Sequence, residues 1–446
     1  MAQAFTYQQR LDQLKQRINS SQKKKNIRIK KGTTSNLFRY QGQKLKRATK
    51  IPLKEFNHVL TINKENLTLE VEGLTTYGQI VAELLPQGFL PTITPELKHI
   101  TVGGAIVGIG IESSSYRYGF VHDGLIEADV LLPNGTVITC NANNEYSDLF
   151  YGLPNSYGTL GYILKAKIEL IPAKSYVKIN HTRFTWVRSY LWAMKKAVRQ
   201  KRADFIEGLF YSKSEFYLTE AYFVDEAPHL DDIYQNIYYK VAREKSEMFL
   251  PTEQYIFRYD PDWFWNIPEV GISQLFRKYA PKSLRSSGFY NRYSTWKRKI
   301  LSFLPSVGNT KEQLIQDWEV PWERAATLIK FALNYVNLND KPWVALPIIS
   351  SKYSTLYPIR AKKTYFNLGS YCLTEKPRED IDYYYTKIMD NECFRLSGRK
   401  MLYSSTFIDK RRFDRLYNGT AYQALKEKYD PNSLAPTLFE KAVENK

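Results

Sequence analysis

The sequence predicts an α+β protein of two domains, and three observations carry that prediction. The chain has 446 residues, more than one hydrophobic core ordinarily organises. Up to residue 172, short stretches that alternate with period two are interspersed with helical periodicity. After Pro172 glycine thins out and aromatic residues dominate; Tyr alone contributes 34 residues. The break is therefore placed at 172, giving a domain of residues 1–172 and an aromatic-rich domain from 173.

The elements follow in order. Residues 1–25 read as a polar, basic helix with a frayed end, and 26–30 alternate as a strand that runs into the small polar loop 31–36. Segments 59–63 and 67–71 pair across Lys64-Glu65-Asn66. Tyr77, Ile80, Val81, Leu84 and Leu85 share one helical face. Thr76 and Gln79 form a capping box at its start, and Pro86 and Gly88 stop it. Strands 125–132 and 136–140 are joined by Pro133-Asn134-Gly135, and 162–171 alternates up to Pro172. Between Tyr255 and Trp296 lie twelve aromatic residues, a packed core or the wall of an apolar slot.

Charge and composition narrow the function classes. The net charge is +19, and the first 60 residues hold fifteen Lys and Arg against two acids. Such a field attracts a dinucleotide or an anionic membrane surface, or it belongs to a solvated tail. No finger, helix-turn-helix or RNA-recognition signature accompanies it, so nucleic acid is not expected. No apolar run is long enough for a membrane helix, and the N-terminus lacks the apolar region of a secretory signal. Cys140, Cys372 and Cys393 are sparse and odd in number, with no metal spacing. A cytoplasmic protein without a metal, peripheral on the membrane at most, is the expectation.

The densest signal is Thr101-Val102-Gly103-Gly104-Ala105-Ile106-Val107-Gly108-Ile109-Gly110-Ile111-Glu112-Ser113-Ser114-Ser115. Four glycines in eight residues forfeit side-chain packing, as backbone does when it approaches a pyrophosphate or an isoalloxazine ring closely. Free main-chain N–H groups and the serine hydroxyls would then donate to it. A tight buried turn is the competing explanation. The glycine spacing is not the dinucleotide fingerprint of a parallel sheet. Tyr118-Gly119 follow, then Asp148-Leu149-Phe150, and then Gly158-Thr159-Leu160-Gly161, a second small-residue loop that would return to the same ligand.

The order V-G-G, G-I-E-S-S-S, Y-G, N-G, D-L-F, G-T-L-G resembles the FAD-binding domain of the vanillyl-alcohol-oxidase superfamily. Within it, 108–120 and 148–178 are most similar to the sterol side-chain reductases and their bacterial relatives, some of which reduce methylene-branched fatty acyl chains. The resemblance implies a two-part FAD-binding domain of the PCMH type (1–172), an α+β substrate or cap domain (173–400) and a C-terminal segment (401–446) returning to the first. It implies FAD held by Lys31, Gly32, Thr33, Thr34, Ser35 and Asn36 as the first pyrophosphate loop. Thr101, Val102, Gly103, Gly104, Gly108, Gly110, Ser113, Ser114, Ser115, Tyr118, Gly119, Gly158, Thr159 and Gly161 would form the second wall. Relatives that bind FAD covalently use a His in the first loop; residues 31–36 contain none, so non-covalent FAD is expected.

The implied activity is reduction of an isolated C=C bond of a lipid, with NADPH as electron donor. Such an alkene takes a hydride and a proton, and the candidate proton donors are Glu112, Tyr118, Tyr403 and Asp260. Each has a plain structural reading: Glu112 bonds loop backbone, the tyrosines fill core, Asp260 caps the turn at Pro261. The competing functions are reduction of methylene-branched acyl chains, an FAD-dependent alcohol oxidase or dehydrogenase, and a basic membrane binder without catalysis.

Overall fold

Two antiparallel sheets of different size divide the chain in the computed structural model, which describes residues 5–21, 27–30, 49–261, 279–290, 310–350, 352–378, 380–444 and the single residues 275, 292, 293 and 296. A short parallel pair, β1 (Ile27–Lys30) with β2 (Thr49–Pro52), precedes them. The first sheet runs β3 (Val59–Asn63), β4 (Thr68–Glu72), β8 (Tyr162–Pro172), β6 (Leu125–Leu131) and β7 (Val137–Asn141), with β5 (Phe89–Pro91) added to β8. Its first hairpin and its Asn-Gly hairpin are those the alternation predicts, and Gly135 takes the left-handed φ of +92° that the turn needs. The Thr76–Gln79 capping box is present on the helix Tyr77–Leu84.

The second sheet has eight strands in the order β12 (Glu247–Pro251), β9 (Tyr176–Phe184), β11 (Glu215–Val224), β10 (Phe205–Ser212), β14 (Trp343–Ile349), β15 (Thr364–Glu375), β13 (Lys311–Pro321) and β16 (Arg399–Lys400). Strand alternation gives this sheet two different faces. Ile206, Phe210, Phe216, Leu218, Leu314 and Trp318 pack under the helices Val187–Gln200, Ala325–Tyr335 and Tyr384–Arg395. Phe205, Leu209, Tyr217, Ala221, Val344 and Ile348 point the other way and join one continuous core with the first sheet. The C-terminal helices Lys410–Leu416 and Gly419–Tyr429 also lie against that core.

The basic N-terminus is not a solvated tail where it is described. The helix Tyr7–Ser21 buries Leu11, Leu14 and Ile18 against Leu53, Phe56, Leu131 and Leu164. Arg10 is buried and donates from Nη2 to Glu72 Oε1 at 2.6 Å, and Tyr7 Oη donates to Asp129 at 2.7 Å. Of the aromatic stretch 255–296, Trp263, Phe264, Trp265 and Phe276 lie outside the described residues, and the described rings differ in burial. Tyr255, Phe257 and Tyr259 are core, whereas Tyr279, Tyr293 and Trp296 are exposed. Among the described residues no helix is long and apolar enough to cross a membrane, and no cluster of side chains suits a metal ion.

Candidate active site

The glycine-rich segment folds as a short helix, Val102–Val107, whose N-cap Thr101 accepts from the Gly104 N–H. Its glycines serve contact with protein. Gly103 donates to the Gly73 carbonyl at 2.9 Å, and a Cβ there would sit 2.9 Å from that same oxygen. The sequence reading expected free N–H groups here, but those of Gly103, Gly104, Gly108 and Gly110 are all spent inside the chain. Ser114 Oγ donates to the Thr92 carbonyl, and Ser115 Oγ accepts from Glu112 N. Loop 31–36 lies outside the described residues.

The two small-residue loops do meet. Tyr157 donates from its N–H to the Val107 carbonyl at 3.2 Å and from its hydroxyl to the Gly108 carbonyl at 3.4 Å. Asn155, Tyr157 and Gly158 all have left-handed φ, between +50° and +76°. The C-terminal segment pins this loop: Lys426 donates to the Thr159 carbonyl, Lys441 to the Tyr157 carbonyl, and Tyr422 to Thr159 Oγ1.

Some left-over polar capacity lies near these loops. Asn155 Oδ1, Ser156 Oγ and both ring nitrogens of His122 are buried without a protein partner. His122 stacks on Phe120 three residues beyond Gly119, and burial pulls its pKa down, so its ring is neutral. Buried polar atoms are ordinarily bonded, and four orphans beside two contacting loops match the donors and acceptors a nucleotide offers. The residues present fit a bound flavin nucleotide on that count.

Acids gather where the second sheet faces the first domain. Arg258, at the end of the helix Thr252–Ile256, is fully buried and donates to Glu207 Oε2 of β10 at 2.5 Å. It stands 3.8 Å from Glu112 Oε2, and Tyr238 donates to Glu207 Oε1 at 2.8 Å. Glu112 accepts main-chain N–H bonds from Glu96 at 2.9 Å and Ser113 at 3.2 Å. Burial pushes the Glu112 carboxyl up to about 7 against the pull of Arg258 and those two N–H groups. Glu96 is also pushed well up, by burial first and by the Glu112 charge second.

On the same face, Asp317 of β13 accepts from the hydroxyls of Tyr371 (2.7 Å) and Tyr403 (2.8 Å) and from Asn367 Nδ2 (2.8 Å). Burial raises its pKa above the ordinary carboxylate value. Glu319, two residues on, accepts from Tyr357 and keeps one carboxyl oxygen unpartnered. Next to Glu112 is a cavity of about 10 Å³, lined by Thr92, Ser113, Phe205, Ile256 and Arg258 among others. That holds one water and no substrate.

The four candidate acids therefore separate. Glu112 and Tyr403 belong to this face. Tyr118 ends the helix Ser115–Tyr118 beside Arg117, and among the described residues no hydrogen bond or ring contact joins it to Glu112 or Tyr403. Asp260 is tied down as a tether, accepting from Lys98 N and Ser287 Oγ. Sequence reasoning missed Glu207, Arg258 and Asp317. The available signal was two acids, Asp317 and Glu319, two apart in the otherwise strand-like run 314–320.

The FAD binding domain family matches residues 5–141. Delta(24)-sterol reductase of Homo sapiens is 27% identical over 86% of this chain and 75% of its own length. The Delta(24)-sterol reductase homologue of Caenorhabditis elegans is 24% identical over 92% and 82%. Delta(24)-sterol reductase of Pisum sativum is 40% identical over a shorter stretch, 29% of this chain and 23% of its own.

Proposed function

We propose that this flavoprotein, a homologue of the Delta(24)-sterol reductases with an FAD-binding domain, reduces an isolated C=C bond in a lipid. A sterol side chain is the foremost substrate class, with NADPH as the electron donor. A methylene-branched acyl chain is the alternative. The observation that carries the reading is the face of buried acids and tyrosines that the second sheet presents to the FAD-binding domain.

FAD, when bound, supplies the two-electron redox chemistry that no side chain can. We assign its binding to residues 31–36, to 101–115 with Tyr118 and Gly119, and to the 158–161 loop, without a covalent bond. The chain's own task is to place a proton beside an alkene that no carbonyl activates. Glu112 suits it: a carboxyl held near neutrality carries its proton for part of the time and can pass it on, directly or through the adjoining water-sized cavity. Arg258 and Glu207 fix that carboxyl's surroundings, and Asp317 orients the hydroxyls of Tyr371 and Tyr403. Apolar residues around the site keep water from competing for the proton.

Lipid mass spectrometry of cells with and without the protein tests this. A species gaining one H2 in its presence is expected. Anaerobic NADPH should bleach the flavin, and reduced enzyme should re-oxidise slowly in air. Fast re-oxidation with peroxide release would instead establish an alcohol oxidase.

A further inference from the structure

The helix Val187–Gln200 carries an arrangement that catalysis does not use. It buries Tyr190, Met194, Ala197 and Val198 against the eight-stranded sheet. Its outer stripe is Arg188, Trp192, Lys195, Lys196 and Arg199, all exposed and spaced to share one face. From 181 to 203 the chain has seven Lys and Arg and no Asp or Glu. Trp186, just before the helix, is 75% exposed, and Trp192 is 67% exposed. The Lys196 ammonium lies 5.4 Å from the Trp192 ring centre.

A lone exposed apolar side chain is ordinary; two indoles projecting from a wholly cationic helix are not. Indole settles at the headgroup level of a bilayer, with its ring in the acyl boundary and its N–H in the wet zone, and Lys and Arg meet anionic headgroups there. The stripe runs along the outer face of a single helix, a shape that favours a planar lipid surface over a nucleic-acid strand. The helix covers the sheet face turned away from the FAD-binding domain, so docking leaves the acidic face clear.

We propose that the 187–200 helix, with Trp186, docks the protein on an anionic lipid surface. Docking there is independent of the reaction assigned above, since it uses a different face.

The test is sedimentation of purified, FAD-loaded full-length protein with vesicles of phosphatidylcholine alone or with 30% phosphatidylglycerol. Wild type should bind the anionic vesicles and release in high salt. Lys195→Glu/Lys196→Glu should weaken binding by about 30-fold or more, and Trp186→Ala/Trp192→Ala by about tenfold. All four side chains are exposed, so flavin absorbance and melting temperature should hold. Lys64→Glu/Lys213→Glu, an equal charge change at two exposed turn positions, should bind like wild type. Equal losses from that control, or unchanged binding after the helix substitutions, would overturn the proposal. So would a loss confined to a single-stranded 30-mer oligonucleotide, with vesicle binding intact.

Discussion

Replacing Glu112 by Gln should flatten the pH dependence of both stability and turnover. The folded carboxyl titrates at about 7 because burial disfavours its charge; in an unfolded chain a glutamate titrates near 4.3. Between those values the folded protein keeps a proton that the unfolded chain has released. The contribution is therefore complete below about 4.3 and is lost as pH rises through about 7. From pH 5 to pH 8.5 it amounts to about 2–3 kcal/mol. Unfolding entropy scaled to 446 residues makes that about 3 °C in melting temperature. Scanning calorimetry of the two proteins should show wild type losing about 3 °C more than Glu112→Gln over that range. Steady-state turnover should fall above about pH 7 in wild type and be roughly 100-fold lower and flat in the variant. Parallel melting profiles would refute the buried, near-neutral carboxyl. Full turnover with its alkaline decline intact would move the proton source elsewhere, with Tyr403 next in line.

Three other perturbations probe separate parts of the argument. Arg258→Met leaves Glu207 buried without its cation and should cost about 3–5 kcal/mol, read by chemical unfolding, with Glu207→Gln in the same chain recovering part of the loss. Gly103→Val drives a side chain onto the Gly73 carbonyl and Ile163; it should cost more than 2 kcal/mol and lower FAD content in the purified protein. Deleting residues 5–21 removes Leu11, Leu14, Ile18 and the Arg10–Glu72 pair, so calorimetry should show a melting point several degrees lower, whereas loss of a solvated tail would leave it unchanged.

Local chemistry made much of the first domain legible. Thr76 with Gln79, Asn134 with Gly135, and the alternation of 162–171 each fix their element within a few residues, and the structure has them all. The glycine segment was legible as a place where backbone runs close to something, but not as to what. Gly103 faces a carbonyl of its own chain, and only coordinates distinguish that neighbour from a phosphate. The N-terminal helix misled for a related reason. Its composition is that of a solvated face, yet Leu11, Leu14 and Ile18 are enough to dock it once Arg10 finds Glu72, sixty-two residues away.

The acidic face was the least legible part, and the reason lies in how a sheet writes its sequence. Glu207, Asp317 and Tyr371 come from three strands, β10, β13 and β15, and Tyr403 from just beyond β16. Each stands in a run that looks like ordinary core, because its strand neighbours Ile206, Trp318 and Cys372 point into the apolar layer under the helices. A single-sequence reading sees acids scattered over separate strands, with only the Asp317–Glu319 spacing within β13 to hint that they belong together. Strand order and register place Asp317 opposite Gly369, where the missing side chain leaves room for the carboxylate, and two residues along β15 from Tyr371. Burying so many acids costs stability unless each is paired or protonated, and Arg258 is the cation beside Glu207 and Glu112. An ordinary core would carry apolar residues at these positions at lower cost, so their presence where the second sheet faces the first is the physical sign of chemistry there.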